Sequence, residues 1–294
     1  MTYSIGQQRT AIVFGGGGVA GIAWELGLTS GLLDAGVPLA DADLVVGTSA
    51  GSVVGALLRS GAVEETYRQQ LAPMPSSYRE PVRPDWDAIG ELLAERLRGV
   101  RTDDGGQEAR ARVGALALEV TAGQTPGERE ATFAETLPSG TWPSGALAVC
   151  AVDAVDGAFR VFTAADGVPL TRAVAASCSV PLVWSPVDIG GRSHIDGGAR
   201  SATNADAASG YDRVLVVACR PEQPSPTGPW LDVAVQSLRS SGSEVLVVVA
   251  DDASQAAYGT DVLAVSTRGP AATAGRAQAA AVAAEVGAFW SAAR

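Results

Sequence analysis

The chain has 294 residues, 47% hydrophobic and 18% charged, which excludes a disordered chain and leaves ample material for a buried α/β core. A formal net charge of −11 excludes nucleic acid as a partner, because phosphate contacts need clustered Lys and Arg. The same charge opposes strongly anionic membrane surfaces, although a local apolar lip can still dock transiently.

In chain order, Thr10 to Phe14 reads as a short buried strand, Gly15 to Gly18 as a glycine loop, and Val19 to Ala35 as a helix stopped by Gly36. Leu44 to Val46 is a second strand. It runs into Gly47-Thr48-Ser49-Ala50-Gly51 and then a helix-forming segment up to Leu58. This order implies parallel strands with crossover helices. Ala72 to Trp86, with Pro73, Pro75, Pro81 and Pro84, reads as a loop that presents Met74, Tyr78 and Trp86. As a lid or lipid-contacting edge it would serve a site; otherwise it is a surface connection. Helices are expected over Asp87 to Arg98, Glu108 to Thr121 and Thr125 to Leu137, the last with a Thr-Pro start.

Ala146 to Val152 and Phe159 to Phe162 read as strands turned at Asp156-Gly157, and Thr171 to Ala176 as a short helix. Pro186 to Ile189 and Ser193 to Ile195 form a hairpin around Gly190-Gly191. Arg213 to Ala218 and Val245 to Ala250 are further strands. The loop Arg220 to Pro229 and a helix over Trp230 to Ser240 separate them, and Ala271 to Ala293 closes the chain as a helix. No repeat or composition shift justifies a domain cut, so a single unit over residues 1–294 is expected. Its motifs lie within residues 10–220, and residues 221–294 add C-terminal strands and the closing helix. The polar start lacks a basic, apolar leader, and no uncharged apolar window reaches the roughly 18 residues of a membrane span. A cytoplasmic location is the expectation. Cys150, Cys178 and Cys219 are odd in number, widely spaced and in apolar settings, so buried free thiols are expected.

Two motifs carry chemistry. A G-x-S-x-G turn between strand and helix leaves the Ser49 hydroxyl exposed at a helix head, where free N–H groups favour a developing oxyanion. Gly16-x-Gly18-x-x-Gly21 admits two readings. It matches a dinucleotide fingerprint, with Asp41 or Asp43 about 20 residues on. It also offers backbone donors for an oxyanion hole. A dinucleotide domain has no need of an exposed serine at its second strand, so the pair favours acyl transfer through a serine ester.

A serine needs a base. His194 is the chain's one histidine, and Asp196 follows two residues later. In a strand the two share a face, an awkward geometry for an imidazole placed between serine and acid, so His194 reads as a polar residue at the site mouth or surface. Asp196-Gly197-Gly198 also reads as a hairpin turn. Asp104-Gly105, Asp156-Gly157 and Asp166-Gly167 do the same, so spacing alone does not single out Asp196.

At these residues the chain resembles the patatin-like phospholipase family. The likeness is carried by Gly16-Gly17-Gly18-Val19-Ala20-Gly21, Gly47-Thr48-Ser49-Ala50-Gly51 and Asp196-Gly197-Gly198, in that order. Ala176-Ser177-Cys178-Ser179-Val180-Pro181 and Trp184-Ser185-Pro186-Val187 look like the family's segment before its aspartate. The resemblance implies a three-layer α/β/α fold with a mainly parallel sheet. It implies Ser49 as nucleophile, Asp196 as base with no histidine, and the N–H groups of Gly16, Gly17 and Gly18 as oxyanion hole. Gly21, Gly47, Gly51, Gly197 and Gly198 support the motifs. It implies hydrolysis of lipid or other acyl esters, with no metal or other cofactor.

The dyad requires Asp196 to be buried and within reach of Ser49, since an aspartate with an ordinary pKa of about 3.9 is a weak base. One departure stands out. The family commonly has Arg or Lys just before the last glycine of the loop, where this chain has Ala20. A cation there would help hold a phosphate-bearing head group, so neutral esters stand beside phospholipids as substrates. Val180, Leu182 and Trp184 are candidates for an acyl pocket or for plain core packing. An acyltransferase on the same dyad, and a nucleotide-binding protein using only the glycine loop, are the alternatives.

Overall fold

The computed structural model describes residues 8–74, 83–101, 103, 105–119 and 125–291. Among them the chain opens with β1 (Thr10–Phe14), α1 (Gly18–Asp34), β2 (Leu44–Thr48), α2 (Ala50–Arg59) and α3 (Val63–Leu71). Helices α4 (Trp86–Arg96), α5 (Gln107–Glu119) and α6 (Pro126–Thr136) follow. Then come β3 (Leu147–Asp153), β4 (Phe159–Phe162), α7 (Leu170–Ser177), β5 (Val187–Ile189) and β6 (Arg192–Asp196). The chain continues with β7 (Arg213–Ala218), α8 (Leu231–Ser240), β8 (Glu244–Val249), α9 (Asp252–Ala257) and α10 (Arg268–Ser291).

Strands β3, β2, β1, β7 and β8 lie side by side and parallel. The chain therefore winds outward from β1 through β2 to β3, then returns to β7 on the other side of β1. Crevices at such a reversal, at the carboxyl ends of the strands, are where open α/β sheets bind ligands. Strands β4, β5 and β6 add an antiparallel corner.

β1, β3 and β7 are buried along their whole length, as expected of strands covered on both faces. Alternate residues define the layers. Ile12, Phe14, Val45, Leu215 and Val217 share a core with Trp24 and Leu28 of α1, Leu57 of α2 and Ala272 of α10. Val13, Val46, Val214 and Val216 share another with Leu231, Ala234 and Leu238 of α8. On this second face, Val152 and Ile195 pack with Val113 and Ala117 of α5. The architecture is the expected three-layer α/β/α arrangement around a mainly parallel sheet.

The expected elements recur with small shifts. Trp86 opens α4 instead of lying in the preceding loop. Pro75, Tyr78 and Pro81 of that loop, residues 120–121 of the expected second helix and residues 292–293 of the closing helix lie outside the described residues. Two helices had no clear signal. α3 (VEETYRQQL) buries only Val63, Thr66 and Gln70, so its apolar period is faint. α9 is only six residues long and relies on Asp251 capping the Ser254 N–H at 2.8 Å. The Ala-rich composition of α10 has a packing reason. It lies so close to α1 that a methyl group at Gly27 would sit 2.1 Å from the Ala272 oxygen. Cys150, Cys178 and Cys219 are free and buried, as expected. No helix of the described residues is long and apolar enough to cross a membrane.

Candidate active site

Ser49 joins β2 to α2 with φ 51° and ψ −117°. Positive φ is uncommon for any residue with a side chain. Surrounding hydrogen bonds enforce it. Ser49 N–H donates to Ser177 Oγ at 2.9 Å, and the Ser52 hydroxyl donates to Ser49 O at 2.7 Å. Gly51 N–H donates to Gly15 O at 3.0 Å. Residue 51 must be glycine, because a methyl group there would lie 2.1 Å from the Phe14 oxygen.

Asp196 reaches Ser49 through the sheet. β3 pairs with both β4 and β6 at Ala151 and Val152, so these two strands occupy opposite edges of β3. β3 pairs with both β2 and β4 at Val149 and Cys150, so β2 lies opposite β4, on the same edge as β6. β2 ends with Thr48 opposite Cys150, and β6, running the other way, ends with Asp196 opposite Ala151. The carboxyl ends of the two strands therefore abut, which brings residues 49 and 196 together. Ser177 seals the junction by donating to the Cys150 oxygen at 2.6 Å. Asn204 Nδ2 donates to Thr48 Oγ1 and to Gly197 O at 3.1 Å each, tying the elbow to the Asp196 turn.

Asp196 is 3% exposed and Ser49 8%. Asp196 Oδ1 accepts the Gly198 N–H at 2.6 Å, whereas Oδ2 has no partner among the described residues. Burial pushes the carboxyl up to about 6. The Gly198 bond, the nearby Ser49 hydroxyl and the charges of Arg129 and Arg220 pull the other way. The Ser49 hydroxyl is thus beside the carboxyl without closing a hydrogen bond of normal length, a slack common in catalytic pairs before substrate tightens them.

The glycine loop differs in part from expectation. Gly16 N–H donates to Ala202 O at 2.7 Å, so this amide is already engaged. The Gly17 and Gly18 amides have no acceptor among the described residues. Both residues border the same cavity as Ser49 and Asp196, a space of about 610 Å³. A methyl group at Gly17 would meet Cys219 Sγ at 2.6 Å, which ties the loop to the end of β7. Beneath it, Glu25 of α1 is fully buried and accepts a weak hydrogen bond from Cys219 Sγ at 3.5 Å. Burial raises its pKa well above the ordinary carboxylate value, against the smaller pull of the Cys219 and Gly15 hydrogen bonds.

One reading is corrected, and the choice between acyl pocket and core packing is decided residue by residue. His194 is neither at the mouth nor at the surface: it is 3% exposed, packs edge-on against Phe162 and does not border the cavity. Burial lowers its pKa and favours the neutral ring. Residues 194 and 196 do share a face, but β4 and β5 cover the former. Trp184 and Leu182 do not line the cavity; Val180 does. Trp184 instead lies under the Arg129 guanidinium, 4.1 Å from its ring centre. One apolar wall comes from Trp86, Ile89 and Leu93 of α4 and Leu97 at its C-cap, which border the cavity at helical spacing.

Arg129 of α6 was not marked by any sequence motif. Its guanidinium is buried, donates to Cys178 O at 3.2 Å and has no carboxylate bonded to it among the described residues, while Asp196 lies within its field. The packing of α6 on α7 brings this buried cation near a buried acid.

The sequence matches the family model described as patatin-like phospholipase over residues 12–209. No curated protein matches. Among solved structures, VipD from Legionella pneumophila is similar at 12% identity and a TM-score of 0.43, covering 95% of this chain and 67% of that one. The type III effector protein ExoU is similar at 14% identity and a TM-score of 0.36, covering 98% of this chain and 53% of that one.

Proposed function

This chain belongs to the patatin-like phospholipase family, and we propose that it hydrolyses carboxyl esters of lipids through an acyl-enzyme on Ser49. The observation that carries the reading is the buried Asp196 Oδ2, without a partner, beside the Ser49 hydroxyl on a cavity that also holds two free amides. Asp196 takes the proton as Ser49 Oγ attacks the ester carbon. The oxygen that gains charge is held by the Gly17 and Gly18 N–H groups at the head of α1. Collapse expels the alcohol, which leaves with the proton from Asp196. Water then attacks the acyl-enzyme, giving its proton to Asp196, and Ser49 departs protonated with release of the acid. The α4 stripe supports an acyl chain lying along the cavity wall.

The test is acid-quenched mass analysis during turnover of p-nitrophenyl esters, together with rates for His194→Ala. The expected result is an acyl adduct on Ser49, and a His194→Ala protein that melts earlier yet retains kcat. Loss of kcat in a folded His194→Ala protein would transfer the base to the histidine.

Arg129 supports Asp196 electrostatically in this scheme. Replacing it by Gln removes a cation that favours the carboxylate, so the acid limb of kcat/KM is expected to move to higher pH. A merely structural Arg129 would lower stability and leave that limb in place.

A further inference from the structure

The cavity contains one feature that the hydrolytic scheme does not use. Arg220 is the only cationic side chain among the described residues bordering it, and Asp196 is the only acid. Its position is not incidental. It follows Cys219 directly after β7, across the β1/β7 reversal from the glycine loop. Pro221 comes next and restricts the Arg220 backbone to extended conformations.

In a protein of net charge −11, an unpaired arginine in a concave site is conspicuous. Two other arginines beside the sheet are neutralised: Arg200 by Asp206 at 2.6 Å and Arg213 by Glu244 at 2.8 Å. Arg220 is exposed and makes no ion pair or hydrogen bond among the described residues. The carboxylate nearest in sequence, Glu222, is held elsewhere. It accepts the Thr203 N–H at 2.7 Å and the Thr203 hydroxyl at 2.6 Å.

We propose that Arg220 is the anion subsite of this cavity, binding the phosphate of an acylglycerol phosphate whose ester carbonyl lies at Ser49. A guanidinium fits this task because it remains charged and presents parallel donors to phosphate oxygens. The subsite replaces from β7 the cation that Ala20 does not provide in the glycine loop. The reading rests on the hydrolase assignment for the placement of the ester, but not for anion binding itself.

The experiment compares a 1-acylglycerol 3-phosphate with the 1-monoacylglycerol of the same chain length. For Arg220→Gln, the ratio of kcat/KM for the phosphate ester to that for the neutral ester is expected to fall roughly 10- to 100-fold, the scale of losing a charged hydrogen-bonding partner. Arg220→Lys is expected to recover part of it. Calorimetry in a Ser49→Ala background reads binding alone, where adding Arg220→Gln is expected to weaken only the phosphate-bearing lipid. An unchanged ratio, or equal loss on both lipids, overturns the proposal. Inorganic phosphate binding as tightly as the lipid phosphate would make the ligand a free anion and also overturn it. Arg220-dependent lipid binding in a protein that cleaves neither ester would sink the hydrolase reading while upholding the subsite.

Discussion

Replacing Ser49 by glycine is expected to abolish ester hydrolysis and to raise the melting temperature of the same protein. The loss follows from removing the nucleophile, with an expected fall in kcat on the order of 10⁴-fold or more. The gain follows from the backbone. At φ 51° and ψ −117° a Cβ is strained, and such strain costs on the order of 1–3 kcal/mol. Glycine relieves it but loses more conformational freedom on folding, roughly 0.5–1 kcal/mol. A net stabilisation of about 1 kcal/mol remains. Ser49→Ala is the control, because it removes the hydroxyl and keeps the strained Cβ. Denaturant unfolding of the three proteins checks the effect. A Ser49→Gly protein no more stable than Ser49→Ala would mean that the elbow stores no strain.

Asp196→Asn is expected to reduce kcat roughly 100- to 10,000-fold, the usual contribution of a general base. In the wild type, kcat/KM should decline as pH falls through about 6, because only the carboxylate accepts the serine proton. The same burial predicts a stability effect of opposite sense. The folded state holds this proton more tightly than the unfolded state, so wild-type stability contributed by Asp196 is intact below the unfolded value of about 3.8. It is lost as pH rises through about 6. The displacement corresponds to an upper bound of roughly 3 kcal/mol. Asparagine carries no charge, and its carbonyl oxygen can still accept the Gly198 N–H. The variant should therefore gain stability over wild type between pH 4 and pH 6, and hold that gain above it. Parallel unfolding curves at pH 4 and pH 8 measure it. A stability difference independent of pH would show that Asp196 is not a buried, ionising group.

Both predictions describe a site whose chemistry opposes its folding. The strained Ser49 and the buried acid are each unfavourable in isolation, and the surrounding layers over-determine them. Ser177, Asn204 and Ser52 supply that constraint through hydrogen bonds to the elbow and its neighbours.

The local parts of this protein were legible in its sequence. The central strands β1, β3 and β7 announce themselves as apolar runs because both faces are covered, and the elbow and glycine loop do so because close backbone approach admits no side chain. The resemblance rests on those same short stretches. What remained hidden depends on elements far apart in the chain. Spacing gave no reason to join Ser49 to Asp196; the two meet because β2 and β6 abut on one edge of β3. His194 shares a face with Asp196, as alternation predicts, yet the β4–β5 corner buries it away from the cavity. The glycine loop advertises its amides, but only the fold spends that of Gly16 on Ala202 and leaves those of Gly17 and Gly18 free. Arg129 and Arg220 carry no motif at all, because a charge acquires its role from what lies across space, and electrostatic fields follow distance rather than chain order.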